Sequence, residues 1–174
     1  FGCLVSYNGK SFDWPIVRNR YVINRLKLVD GHLRHLDFLY PSRSLWKHSL
    51  PSCRLGHVEE QRLGVRRVGD VPGAMAPAIY FQYLADRIGT GMHSVFVHNE
   101  SDLLTLAELA IHLSRLLAGE HPLDELESED VFRLGVWLHR WSGRDLAERA
   151  FSHLLERPAE TIGSYLLPVA TIYK

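Results

Sequence analysis

Two short stretches hold side chains that could do chemistry together. "HNESD" places His98 and Asp102 at i and i+4, which on a helix is one face. A carboxylate binds a hard cation through oxygen, and an imidazole beside it can orient or deprotonate a water. The pair therefore suits metal-assisted water activation. "YNGKSFDWP" places Asp13 before Trp14 and Pro15, at the expected start of a helix, where its carboxylate would serve as an N-cap. Singly, an Asp in that place is most often only a cap, and a His–Asp pair at that spacing is most often a surface contact. Brought together, clustered carboxylates stay ionised only when cations neutralise them.

The elements that must position these residues can be read from the pattern. "CLVSY" (3–7) is a continuous apolar run stopped by Asn8-Gly9 and is expected to be a buried strand. A helix is expected from Asp13 to about Leu28, with Ile16, Val17, Tyr21, Ile23 and Leu28 inward. Arg18, Arg20, Arg25 and Lys27 would face outward and Gly31 would end it. "RHLDFLY" (34–40) reads as a second strand cut off by Pro41, followed by a basic helical turn near 44–48. Ser52 would cap a helix running to Leu63, and "GVRRVGDVPGAMAP" (64–77) reads as a loop. Helices are expected over 78–88 and 101–117. The acidic stretch 119–128 would then be a linker, followed by helices near 129–141, 144–156 and 164–173.

Composition sets the class. The 174 residues are 46% hydrophobic and 23% charged, which is ordinary for a globular chain with a sizeable core. No apolar run of membrane-spanning length and no signal peptide are visible, and two cysteines fit a reducing cytoplasm. The net charge of +0 hides an asymmetry. Residues 1–70 carry twelve Lys/Arg against six Asp/Glu, and residues 71–174 carry eight against fourteen. A polyanion would be drawn to the first half, although two differing solvated faces explain the same numbers.

With these stretches in view, "YNGKSFDWPIV", "HLDFLYPSR" and "HNESDLLTLAELA" together resemble the ribonuclease-H-like exonucleases of the DEDD class, and among them the YprB-type ribonuclease-H-like domain family. The first stretch is also similar to the second exonuclease motif of family B polymerases. The third resembles the Tyr-x-x-x-Asp form of the last motif, with His98 in the aromatic position. The resemblance covers about residues 1–118 and implies an α/β, ribonuclease-H-like domain over that span, incomplete because its first strands are absent. It implies Asp13 and Asp102 as ligands of Mg²⁺ or Mn²⁺, and His98 as the group that positions or deprotonates the attacking water. Asp37 would be a supporting acid behind them. Asn8 and Lys10 would lie beside a DNA or RNA strand, entering as a single-stranded end. The implied reaction is two-metal phosphodiester hydrolysis in the 3′–5′ direction. From the residues themselves, Arg18 and Arg43 could follow the phosphate backbone, with Tyr40 or Trp46 stacking on bases.

One part of the pattern is missing. The class draws two further acids from an Asp-x-Glu motif, and none of the nine Asp residues has Glu two positions later. The chain is therefore expected to be a fragment of a longer protein and inactive alone. The alternative is a non-catalytic nucleic-acid or protein-binding module on a nuclease-like scaffold. His32, His35 and Asp37 in "GHLRHLD" include metal-ligating types, but without a cysteine pair they read as structural or surface residues. In 129–174, "LGVWL" and "VATIY" recur 35 residues apart. With the Ser142-Gly143 turn between two helices, this segment resembles a tetratricopeptide-like hairpin, whose role would be contact with a protein partner.

Overall fold

The computed structural model describes residues 2–28, 33–141 and 143–173. The positions given to Gly31, His32 and Ser142 above lie outside the described residues. Strand β1 (Cys3–Ser6) pairs in parallel with β2 (Arg34–Asp37), in a register that sets Ser6 opposite Asp37. Parallel neighbours need a crossover, and helix α1 (Asp13–Ile23) lies within it. The remaining elements are helical. They are α2 (Leu39–Trp46), α3 (Leu55–Val58) leading into a π-helical turn (Glu59–Leu63), α4 (Ala76–Asp86), α5 (Thr90–Leu117), α6 (Ser128–Trp141), α7 (Arg144–Leu155) and α8 (Ala159–Ile172). The α/β class thus rests on one βαβ unit, and the described chain is otherwise helical. Among the described residues no helix is long and apolar enough to cross a membrane.

The core lies away from the sheet. In the second half of α5, Thr105, Leu109, Leu113 and Leu116 recur at helical spacing and are all buried. They share one cluster with Leu45 and Trp46 of α2, Val131 and Leu138 of α6, and Phe151 and Leu154 of α7. Each such aliphatic side chain contributes about 1.5–3 kcal/mol by leaving water. The helices beyond the acidic stretch therefore build one core with α2 and α5.

Several local expectations are corrected. The strand at 3–7 is not buried, since Val5 is 40% exposed and its neighbour Leu36 on β2 is 53% exposed. Two paired strands leave that surface uncovered among the described residues. Helix α1 buries no residue and ends at Ile23, because Asn24 caps it and Arg25 turns left-handed at φ 55°. The second strand stops at Asp37, because Leu39–Trp46 is helical. Trp46 is 2% exposed, so it belongs to the core and cannot stack on a base. Arg54, not Ser52, precedes α3, and the Ser52 hydroxyl instead accepts the Arg54 N–H at 3.2 Å. The third long helix, α5, begins eleven residues earlier than expected, at Thr90.

His112 on α5 offers a pH test of this core. Its ring packs 5.8 Å from Trp46 and 5.5 Å from His121. Burial depresses its pKa below the usual histidine range, and the charges of His121, Arg62 and Arg115 add to the effect. A depressed folded-state pKa means that protonation favours the unfolded chain. Stability is then full above the ordinary histidine range and falls as pH drops through the lower folded value. Denaturation midpoints are expected to decline from pH 7 to pH 5 in the native chain and to decline less in His112→Gln.

Candidate functional site

The turn after β1 is built around a buried carboxylate. Asp37, 5% exposed, accepts the N–H of Asn8 at 2.7 Å, of Lys10 at 2.9 Å and of Leu39 at 3.1 Å. Asp37 stands opposite Ser6, so the end of β2 fixes the loop leaving β1. Asn8 sits at φ 62°, a left-handed conformation that Asn tolerates better than most residues. Gly9 is required by closeness. A Cβ there would stand 2.5 Å from Ser6 Cβ and 3.4 Å from Asp13 Oδ2.

This loop delivers Asp13 with its carboxylate uncommitted. The N-cap expectation is corrected, because Phe12 is the cap and Asp13 is the first helical residue, with no side-chain cap bond. Backbone bonds from Phe12 N to Asn8 O (3.2 Å) and from Trp14 N to Gly9 O (2.8 Å) satisfy the turn without it. Asp13 is exposed and lines a cleft of about 470 Å³ with Ser6, Trp14, His35, Asn99 and Asp102. Two residues 89 positions apart thus face one cavity at the carboxyl end of β1. Its wall is ordered by Ser6 Oγ and His35 Nε2 at 2.7 Å, and by the His35 and Trp14 rings at 5.9 Å.

Asp102 is committed, and its partner was not foreseen from the sequence. Both His98 and Asp102 project from α5, with His98 Nε2 at 3.6 Å from Asp102 Oδ2. Asp102 Oδ1, however, accepts from Arg67 Nη2 at 2.8 Å. The same guanidinium meets Glu59 Oε2 at 2.7 Å and Asp70 Oδ2 at 3.1 Å. Glu59 is 1% exposed and comes from the π-helical turn. Arg67 arrives on a loop bracketed by Gly64 at φ 69° and Gly69 at φ 71°, conformations that favour glycine. These contacts to three carboxylates raise the already high Arg67 pKa further, so the guanidinium is a permanent cation there. His98 Nδ1 lies 2.8 Å from Asp70 Oδ2. Burial opposes charge on Asp70, but hydrogen bonds from His98 and Arg67 outweigh it and hold the carboxyl below its usual range. The "RRVGD" stretch carried the only available signal, since its basic and acidic residues lie in what reads as a bare loop.

The remaining sequence-derived positions fall elsewhere. Asn8 and Arg43 line a neighbouring cavity, and Lys10 Nζ lies 5.8 Å over the Tyr40 ring. Arg18 stands on α1, outside the linings of both cavities.

The donor set bears on a divalent ion. Among the described residues no three His, Cys, Asp or Glu side chains form a group that could hold a metal. Asp13 is free, but Asp102 is neutralised by a guanidinium. The residues present therefore do not by themselves fit a Mg²⁺ or Mn²⁺ centre, whose ion demands near-octahedral oxygen ligation.

Comparison with known proteins gives the context. A family model described as the RNase_H superfamily matches residues 2–114. The chain is 36% identical over 172 residues to the uncharacterized protein YprB of Bacillus subtilis (strain 168), covering 98% of this chain and 41% of that protein. The chain thus spans about two-fifths of the length of the curated relative it matches. No solved structure matches it. The family match stops short of α6, and nothing in these comparisons supports the tetratricopeptide resemblance of the last three helices.

Proposed function

The chain belongs to the ribonuclease H superfamily, and on that premise we propose that it is the portion of a 3′–5′ exonuclease that contributes Asp13 and Asp102 to a phosphodiester-cleaving site. Alone, it holds a nucleic-acid strand without cutting it. The observation that carries this reading is that Asp13 and Asp102 line one cleft at the carboxyl end of a parallel strand, where open α/β sheets place their ligands. The family generally uses divalent metals, here expected to be Mg²⁺ or Mn²⁺. This chain's own contribution is to present the Asp13 carboxylate on a fixed turn and to keep the Asp102 and His98 side chains on one helical face.

Inactivity of the isolated chain follows from the same geometry. One of the two acids is uncommitted and the other is bound to Arg67. Purified chain with a 5′-labelled single-stranded oligonucleotide and Mg²⁺ or Mn²⁺ is expected to release no shortened product. Metal-dependent cleavage lost in Asp13→Ala would overturn that half of the reading. In a longer protein that contains this chain and is active, Asp102→Asn is expected to cost at least about a hundredfold, since charge stabilisation at such a site is worth several kcal/mol. Undiminished 3′ shortening by that variant would remove Asp102 from the site. The second reading, a binding module without catalysis, is favoured by the Arg67–Asp102 ion pair. It predicts a longer protein that binds oligonucleotide and never shortens it.

A further inference from the structure

Next to the Asp13/Asp102 cleft lies a second cavity, of about 400 Å³. The two share Tyr7 and Leu55 as walls, so they open on either side of the same turn. The second is lined by Arg43 from α2 and by Arg54 at the start of α3, together with Asn8, Ser52 and Cys53. No carboxylate is among its lining residues, and among the described residues no acid pairs with Arg43 or Arg54. The nearby Asp37 is buried, and its oxygens are occupied by three backbone N–H groups. Elsewhere Arg62, Arg67 and Arg133 each meet an acid, so two arginines left without one on a single cavity are distinctive. Tyr40, 51% exposed, stands one helical turn before Arg43, with the Lys10 ammonium over its ring.

We infer that this cavity is a phosphate site: Arg43 and Arg54 grip one phosphate of a nucleic-acid strand, and the strand continues past Tyr7 into the cleft of Asp13 and Asp102. Guanidinium is the group suited to phosphate, because its planar donors match two oxygens at once. Asn8 adds a neutral donor. The site rests on the proposed function only for the nature of the strand, because the binding itself needs no cleavage and no metal.

Cys53 reports occupancy. Its thiol lines the cavity, whereas the other cysteine, Cys3, is exposed on β1. The experiment uses Cys3→Ser chain in EDTA, a 12-nucleotide single-stranded DNA and, separately, inorganic phosphate. The oligonucleotide is expected to slow alkylation of Cys53 by iodoacetamide several-fold, with phosphate matching it only at far higher concentration. In Arg43→Gln/Arg54→Gln, both substitutions being of exposed residues, that protection is expected to vanish. Oligonucleotide affinity should fall roughly tenfold or more and the salt slope by about 2, one for each phosphate contact. Unchanged affinity, slope and protection in a folded double variant, checked by circular dichroism, would overturn the site. Protection by phosphate at oligonucleotide concentrations would overturn the strand and leave a free-phosphate pocket. Since EDTA removes cleavage from the measurement, a chain that never becomes a nuclease can still pass.

Discussion

Arg67→Ala is expected to lower the stability of the fold by about 3–5 kcal/mol, the range for breaking a buried ion pair from one side. The reason is Glu59. It is 1% exposed, and the only cation at its carboxylate is Arg67, with Nε 2.9 Å from both of its oxygens and Nη2 at 2.7 Å from one. Truncating Arg67 leaves that carboxylate buried and unpaired. Asp70 and Asp102 lose a partner as well, although both are more exposed and lose less. Urea denaturation measures the loss. Arg67→Lys should recover only part of it, because an ammonium cannot span three carboxylates as a planar fork does. Glu59→Gln in the Arg67→Ala background should recover more than Glu59→Gln gains in the native chain. A loss below about 1 kcal/mol, typical of exposed pairs, would show that the network is a surface feature.

Asp37→Ala is expected to cost about 2–4 kcal/mol and to displace Asp13. Three backbone N–H groups, those of Asn8, Lys10 and Leu39, would lose their acceptor at once. A buried donor without a partner costs about 1–3 kcal/mol, and water reaching the outer part of the loop recovers some of that. Asp37→Asn keeps one acceptor oxygen and should lose an intermediate amount. Amide hydrogen exchange is the direct measurement. The amides of Asn8, Lys10 and Leu39 should exchange faster in the alanine variant, while those of α6 and α7 keep their protection. Unchanged exchange at these three amides would mean that Asp37 does not hold the loop. Asp37 thus matters to the site by shape, since it fixes the turn from which Asp13 emerges.

What was legible in the sequence was local or periodic. The alternation of turn residues and apolar runs located β1, α1 and β2 to within a few residues. Apolar spacing from Thr105 to Leu116 located the buried half of α5, and the i,i+4 rule put His98 and Asp102 on one face. Burial was legible only where a stripe is continuous. The apolar side chains of α1 and β1 look like core, yet the described chain offers them no surface to pack on. Trp46 looks like an exposed stacking residue in a basic stretch, yet α2 turns it inward against α5 and α6.

By itself, the sequence determined that Asp13, His98 and Asp102 are present at spacings suited to two separate elements, and that no Asp-x-Glu accompanies them. It also placed Asp37 at a strand end. Only the tertiary structure decided that Asp13 and Asp102 share a cleft, that Arg67 already neutralises Asp102, and that Arg43 and Arg54 share a cavity without an acid. The physical reason is range. Turns, caps and helical faces are set by neighbours within about one helical turn, whereas electrostatics acts across space between residues that only folding brings together. Glu59, Arg67 and Asp102 are unremarkable where they stand in the chain, and their chemistry exists only once the loop between Gly64 and Gly69 lays the guanidinium between helices.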